Sequence, residues 1–168
     1  MSDRAGRCWR LGDNIDTDAL APGLYMKHPI AEQARHCLET VSPAFAAEVK
    51  PGDIIAAGRN FGMGSSREQA VMTLRELGVA AVLAQSFGGI FYRNAVNLGL
   101  LVLVCADTDA IDDGARLIVD GVHGEVVDVG SGRRIACEPL PAHLLAMIAD
   151  GGLVPHLERR LARERGLA

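Results

Sequence analysis

The chain has 168 residues and a formal net charge of -4, and its 49% hydrophobic and 23% charged residues exclude disorder and a coiled coil. Its acidity argues against a nucleic-acid surface, which needs a basic stripe, and an aromatic content of 4% argues against a base-stacking platform. A chain of this length buries roughly two thirds of its unfolded surface, which is enough for a core without disulfide or metal staples.

The N-terminal third predicts short elements separated by polar loops. Residues 7–11 alternate polar and apolar side chains, as a half-buried strand does, and the alternation stops at Gly12-Asp13-Asn14. A short helix is then predicted over 30–39. After the turn at Pro51-Gly52-Asp53, the apolar run 54–57 predicts a strand.

The middle third has the most regular pattern. Ala70, Val71, Leu74 and Leu77 recur at helical spacing up to Gly78. The elements predicted after this helix are a buried strand over 79–84, a helix over 90–98 and a strand over 100–104. Alternating strands and helices imply right-handed crossovers, so we predict an α/β fold with a mainly parallel central sheet.

The pattern changes after residue 105. Short strands joined by tight turns are predicted over 117–121, 125–132 and 134–137. They would form a second, small antiparallel layer. Two C-terminal helices follow within about 141–165, separated by Gly151-Gly152. Because no linker or repeat divides the chain, we expect residues 1–168 to form a single domain.

The strongest local signal is the glycine-rich segment 58–68, whose three glycines let the backbone approach a ligand closely. Ser65 and Ser66 stand where a helix is expected to begin, so free N–H groups and two hydroxyls would form an anion site beside the guanidinium of Arg67. The alternative is an ordinary serine cap next to a solvated arginine. The segment lacks the Gly-Lys-Ser/Thr of a P-loop and the spacing of a dinucleotide loop, which favours a small carboxylate over a nucleotide.

Two further loops carry polar side chains. Asp16 and Asp18 lie two residues apart, and they either form Asx turns or fix an active-site His or Arg. Lys27 and His28 form either a substrate-reading tip or an ordinary exposed loop. In both loops the sequence alone favours the structural alternative, which is the Asx turns for the aspartates and an ordinary exposed loop for Lys27 and His28.

The cysteines are widely separated, at Cys8, Cys37, Cys105 and Cys137. None forms the close pair typical of structural zinc sites and iron–sulfur clusters, so we expect this chain itself to bind no metal or cofactor. Scattered thiols indicate a reducing, cytoplasmic location. Arginines interrupt the N-terminus before a long apolar run forms, so we expect neither a signal peptide nor a membrane association.

Four segments run in order over nearly the whole chain: Gly12–Asp18, Gly58–Ala70, Phe91–Gly99 and Asp150–Leu153. Together they resemble the small subunit of 3-isopropylmalate dehydratase, a pattern shared by the swivelling domain of aconitase-type hydro-lyases. The Gly-Ser-Ser-Arg-Glu block combined with the Asp-Thr-Asp block is highly specific. The resemblance implies a three-layer β/β/α swivelling domain.

The resemblance also implies an enzyme of two subunits. In that family a large aconitase-like subunit holds a [4Fe–4S] cluster whose free iron binds a small hydroxy-dicarboxylic acid, and the small subunit closes over it. By motif position, Ser65 would be the alkoxide base that removes the α-proton, and Ser66 and Arg67 would bind a substrate carboxylate. Asp18 would support an active-site histidine of the partner.

The loop that holds Lys27 falls where members of the family select their substrate. Isopropylmalate-type members tend to have an apolar residue at this position and homoaconitase-like members an arginine, so Lys27 matches neither. A cation there favours a second distal carboxylate, although lysine can also fold away along its aliphatic stem. Met63 and Gln69 depart from the pattern as well, because many relatives have Cys and His at these positions.

The sequence therefore predicts the small subunit of an iron–sulfur hydro-lyase that interconverts 2-isopropylmalate and 3-isopropylmalate in leucine biosynthesis, active only with its large subunit. Within this class, the alternatives are subunits for homoaconitate, 2,3-dimethylmalate or citramalate. Outside it, the alternative is a stand-alone carboxylate-binding module.

Overall fold

The structure, a computed structural model, describes residues 5–166. The ends of the expected domain 1–168, residues 1–4 and 167–168, lie outside the described part. The strands are β1 Gly6–Arg10, β2 Ile54–Ala57, β3 Ala81–Ala84, β4 Leu101–Val104, β5 Arg116–Asp120, β6 Glu125–Asp128 and β7 Arg134–Ala136. The helices are α1 Thr17–Leu20, α2 Ile30–Ala34, α3 Phe45–Glu48, α4 Gln69–Glu76, α5 Gly89–Asn97, α6 Ala142–Ala149 and α7 Leu153–Glu164, with single 3-10 turns at Gly23–Tyr25 and Thr108–Ala110.

Strands β1 to β4 form a parallel sheet in the order β4-β3-β2-β1. Cys8 lies opposite Ile54, which lies opposite Ala81, which lies opposite Leu101. Helix α4 connects β2 to β3, and α5 connects β3 to β4. Every residue of β2 and β3 is buried, because both faces of this sheet are covered.

Strands β5, β6 and β7 continue the same sheet beyond β1, each antiparallel to its neighbour. The buried side chains of Leu117, Val126 and Ile135 share one core with Ala56 and Leu83 of the parallel strands. The helices pack on the opposite face of the parallel strands, in a second core. The predicted α/β fold with a small second β layer is confirmed, and both β layers belong to one curled sheet.

A buried carboxylate sets how β1 lies beside β2. Asp53, 5% exposed, accepts hydrogen bonds from Trp9 Nε1 at 3.0 Å and from the N–H groups of Arg7 at 3.2 Å and Lys50 at 3.0 Å. Its charge is therefore compensated by donors, as a buried carboxylate requires. The Trp9 ring then meets Phe45 edge-on at 5.1 Å. These contacts fix the strand pair that carries the site.

One helix is shorter than the sequence pattern indicates. The helix predicted over 30–39 ends at Ala34, and Leu38 adopts a left-handed φ of 61°, which is incompatible with a continuing helix. Among the described residues, no helix has both the length and the apolar character needed to cross a membrane.

Candidate active site

Two segments meet at the carboxyl ends of β1 and β2, where ligands of open α/β sheets bind. The first segment is residues 12–18 and the second segment is residues 58–68. The N–H of Asn14 donates to Arg59 O at 2.8 Å, and the N–H of Gly62 donates to Ile15 O at 2.6 Å. These backbone bonds hold the two segments side by side.

Side chains strengthen this pairing. Asp13 Oδ1 accepts from the N–H of Arg59 at 2.7 Å, and Asn60 Nδ2 donates to Asn14 Oδ1 at 2.9 Å. Both asparagines have left-handed φ angles, 57° and 59°, which Asn tolerates better than most residues. A Cβ at Gly58 would lie 1.8 Å from Asp13 Oδ1, so the close approach requires glycine.

Ser65 is held by a threonine of the first segment. Its hydroxyl lies 2.9 Å from Thr17 Oγ1, and its N–H donates to the same oxygen at 3.1 Å. Thr17 is 3% exposed, whereas Ser65 is exposed. Ser65 is therefore an exposed residue whose hydroxyl is held by a buried one.

Arg67 is held by the first segment as well. Its Nη1 donates to Asp18 Oδ1 at 2.8 Å and to the carbonyl oxygen of Ala21 at 2.7 Å. The Arg67 guanidinium, followed by the N–H of Gly23 at 2.9 Å, lowers the pKa of the Asp18 carboxyl below its usual range. Of the roles left open for Asp18, the structure shows that it fixes an arginine.

The predicted residues Ser65, Ser66 and Arg67 line one open depression. The carbonyl oxygen of Ser66 accepts from Asn94 Nδ2 at 3.3 Å, which anchors these three residues to helix α5. The lining of the depression is Met26, Ser65, Ser66, Arg67, Glu68 and Gln69. Polar groups with one fixed cation in an open depression can bind a small carboxylate.

Lys27 lies on an exposed turn beside Met26, and its side chain forms no ion pair with any described residue. Tyr25, two residues before Lys27, is anchored because its ring stacks on that of His36 with centroids 3.5 Å apart. Asp16, in contrast, caps α1 by accepting from the N–H of Ala19 at 2.7 Å. Its role is therefore the Asx-type structural one.

The expected helix start at Ser65 and Ser66 is wrong. Helix α4 begins at Gln69, and the N–H of Ser65 is bonded to Thr17 rather than free. The physical reason is Gly64. Its φ of 109° and its close contact with Thr17 keep residues 65–68 in a loop. The anion site at a helix terminus is replaced by a site built from side chains on paired loops.

Thr17 and Asn94 are the two positions whose contacts sequence reasoning missed. Both stand inside motifs that the sequence singles out, but their partners lie 48 and 28 residues away. Local spacing carries no signal for contacts at that separation.

The described residues offer no donor set for an iron–sulfur cluster. Within residues 5–166, no group of three or more His, Cys, Asp or Glu is placed to hold a metal ion. Cys8, Cys37 and Cys105 are buried in the cores and are free thiols. Burial raises the pKa of Cys8 and of Cys37 to about 12, the reverse of what a thiolate ligand needs.

Comparison with known proteins defines the class of this fold and site. The sequence model of the aconitase C-terminal domain family matches residues 18–108, more than half of the chain. The chain therefore belongs to the aconitase C-terminal domain family. The resemblance seen in the motifs is confirmed.

Within this family, the chain is similar to small subunits of two kinds of enzyme. The chain is 47% identical to 3-isopropylmalate dehydratase small subunit 2 of Archaeoglobus fulgidus, over 92% of this chain and 94% of that protein. It is also 47% identical to the methanogen homoaconitase small subunit of Methanothermobacter thermautotrophicus, over 90% and 88%. A crystal structure of 3-isopropylmalate dehydratase from Methanocaldococcus jannaschii superimposes with a TM-score of 0.91 at 41% identity, covering 98% of each chain.

Proposed function

We propose that this chain, as one swivelling domain over residues 1–168, is the small subunit of a hydro-lyase that interconverts 2-isopropylmalate and 3-isopropylmalate by dehydration and rehydration. The observation that carries the proposal is the fixed Ser65 hydroxyl beside the Arg67–Asp18 pair in one depression. The high identity to small subunits of such enzymes over nearly the whole chain supports it.

Ser65 is the proposed base that removes the substrate α-proton. A serine hydroxyl is a weak base at its ordinary pKa, so its anion has to be stabilised by donors and by positive charge. Ser65 is exposed and lines the same depression as Arg67, which is two residues further along the chain. The proton taken from the substrate would reside on Ser65 Oγ and return from there in the reverse direction.

Arg67 and Ser66 are the proposed carboxylate ligands. Among the described contacts, Arg67 uses only Nη1 for Asp18 and Ala21, which leaves the other guanidinium N–H groups for a substrate. A planar guanidinium held in this way binds a carboxylate with two parallel hydrogen bonds. Asp18 accepts through Oδ1, so its Oδ2 is proposed to face an active-site histidine of the partner.

The site on this chain is half of the proposed active site. The described residues offer no donor set for a cluster, so the proposal places a [4Fe–4S] cluster on a large aconitase-like subunit that covers the depression. That cluster, when bound there, supplies a Lewis acid for the substrate hydroxyl. Free thiols in the core of this chain support a cytoplasmic location, where the proposed enzyme would act.

Lys27 is the proposed reader of the distal end of the substrate. It is exposed beside Met26 at the edge of the depression, so its cation can reach a second polar group of a bound molecule. Comparing turnover of isopropylmalate and homoaconitate by the wild type and by Lys27→Val tests this role. An unchanged preference between the two substrates would exclude Lys27 as the selector.

Reconstitution with a cognate large subunit tests the main proposal. Ser65→Ala should lower turnover by roughly a thousandfold or more, because the base is removed while binding groups remain. The matched control is Ser131→Ala on the β6–β7 turn, which should retain turnover, since Ser131 bonds only to Asp128 and the neighbouring backbone. Full turnover by Ser65→Ala, or isopropylmalate binding by the isolated chain with no effect of a large subunit, would contradict the proposal.

A further inference from the structure

We infer that Thr17 is a positioning residue that donates its hydroxyl proton to Ser65 Oγ and thereby stabilises that oxygen as an anion. The inference rests on the proposed role of Ser65 as the base. It concerns a threonine that lies beneath the depression and does not line it. The observation behind it is that one buried oxygen contacts both the hydroxyl and the N–H of Ser65.

The proposed anionic state of Ser65 sets the direction of the hydrogen bond between the two hydroxyls. A threonine hydroxyl has one proton and two acceptor lone pairs. One lone pair accepts the Ser65 N–H at 3.1 Å, and either hydroxyl can donate across the 2.9 Å between Thr17 Oγ1 and Ser65 Oγ while Ser65 is neutral. When Ser65 Oγ is an anion it cannot donate, so Thr17 has to be the donor of that bond.

Thr17 is rigid enough to serve as a preorganised donor. Its own N–H donates to Met63 O at 2.8 Å and its carbonyl oxygen accepts from the N–H of Ala21 at 3.0 Å. Its side chain is 3% exposed and is branched at Cβ, which restricts rotation about χ1. A donor that needs no rearrangement stabilises a developing charge more than a mobile one does.

Gly64 makes this contact possible. Its φ is 109°, and a Cβ built on it would lie 3.1 Å from Thr17 Oγ1. Only glycine therefore lets the backbone turn so that the N–H and the hydroxyl of Ser65 reach the same oxygen. Asp16 and Asp18 flank Thr17 in the sequence, and Arg67 and Glu68 line the depression together with Ser65.

The test compares Thr17→Val, which keeps the shape and removes the hydroxyl, with Thr17→Ser, which keeps the hydroxyl. Both are assayed with the large subunit for kcat, KM and the pH dependence of kcat/KM. Thr17→Val should lower kcat by about a hundredfold, as the loss of one donor to an oxyanion does, with little change in KM. The kcat/KM of Thr17→Val should also reach its plateau at a higher pH than that of the wild type, because the Ser65 anion is harder to form.

The matched control is Thr73→Val. Thr73 is also a buried threonine, but its hydroxyl donates to Leu20 O at 2.9 Å, away from Ser65. It should lower stability and leave the pH profile unchanged. Thr17→Ser should recover most of kcat and the wild-type profile.

Two results would overturn the inference: a Thr17→Val complex with normal kcat and pH profile, or equal losses in Thr17→Val and Thr17→Ser. Normal kcat in Thr17→Val together with an inactive Ser65→Ala removes the inference and leaves the proposed function standing. If Ser65→Ala is fully active, the base itself is misassigned. If Thr17→Val does not fold, Thr17→Cys provides the test, because its weak S–H donor should give a kcat below that of Thr17→Ser.

Discussion

The turns of the antiparallel half and the two paired segments of the parallel half differ in the range of the hydrogen bonds that hold them. In the antiparallel half, Asp120 bonds to Val122 and His123 and Asp128 bonds to Gly130 and Ser131, all within three residues. At the carboxyl ends of the parallel strands, hydrogen bonds join residues 46 to 49 positions apart. Local bonds complete a turn, whereas distant ones bring together side chains that can act on a ligand.

The largest expected effect comes from a pair of glycines, one in each half, that have similar positive φ angles. Gly62 has a φ of 76° and a Cβ there would lie 2.1 Å from Phe91, so Gly62→Ala should lower the free energy of unfolding by roughly 2–5 kcal/mol. Gly132, on the β6–β7 turn, has a φ of 71° and open space around it. Gly132→Ala should cost roughly 1–2 kcal/mol.

Urea unfolding of both variants measures the difference. The variants share the backbone penalty, so the excess loss in Gly62→Ala reports the tight packing below the second segment. Equal losses would contradict the contrast between the two halves.

A core deletion in the antiparallel half separates stability from activity. Leu117 of β5 is fully buried, so Leu117→Ala should lower the free energy of unfolding by about 3 kcal/mol through the cavity it leaves. For a chain of this size that loss corresponds to roughly 6–12 °C in Tm. The kcat/KM of the reconstituted complex should stay at the wild-type value well below Tm.

The control for this deletion is Arg134→Ala, which removes an exposed ion pair to Glu125 and should change stability by less than about 1 kcal/mol. Calorimetry and steady-state rates measure both variants. A lowered kcat/KM in Leu117→Ala at a temperature where it is folded would show that the antiparallel half also shapes the site.

The smallest expected effect is a pH dependence at the site. Because the pKa of Asp18 is lower in the folded chain than in the unfolded one, the Arg67–Asp18 pair stabilises the fold above the unfolded pKa. This contribution is lost as the pH falls through the folded pKa. The pair is partly exposed to solvent, so the effect at neutral pH should stay below about 1 kcal/mol.

Asp18→Asn tests that sign. Its urea midpoint should lie below that of the wild type at pH 7, and the gap should narrow as the pH falls below 4. If the difference between the two urea midpoints widens in acid, the Arg67–Asp18 ion pair is not the cause of that difference.

The regular elements could be predicted from the sequence because their signals are local. The apolar spacing from Ala70 to Leu77 matches α4, and the continuous apolar run before residue 84 matches β3. The end of a helix is harder to predict where one residue adopts non-helical backbone angles, as Leu38 does after α2.

The sequence singles out Ser65, Ser66 and Arg67 but does not predict how their surroundings are built. Ser65, Ser66 and Arg67 do line one depression, since they are consecutive. The ion pair with Asp18 and the bond to Thr17 depend on β1 lying beside β2, which no local pattern specifies. For that reason the expected helix-terminus site at Ser65 is wrong, and the roles of these residues stay predictions.

The pairing of the first and second segments also governs when the site forms during folding. Contacts across 46 to 49 residues require closure of a long chain loop, which is slower than formation of any single helix. We therefore expect the surroundings of Ser65 to form together with the register of β1 on β2, and later than the individual helices. A chain with β1 in the wrong register would leave Ser65 without Thr17 and Arg67 without Asp18. Only a subunit with the native register of β1 on β2 would therefore present the complete site to the proposed large subunit.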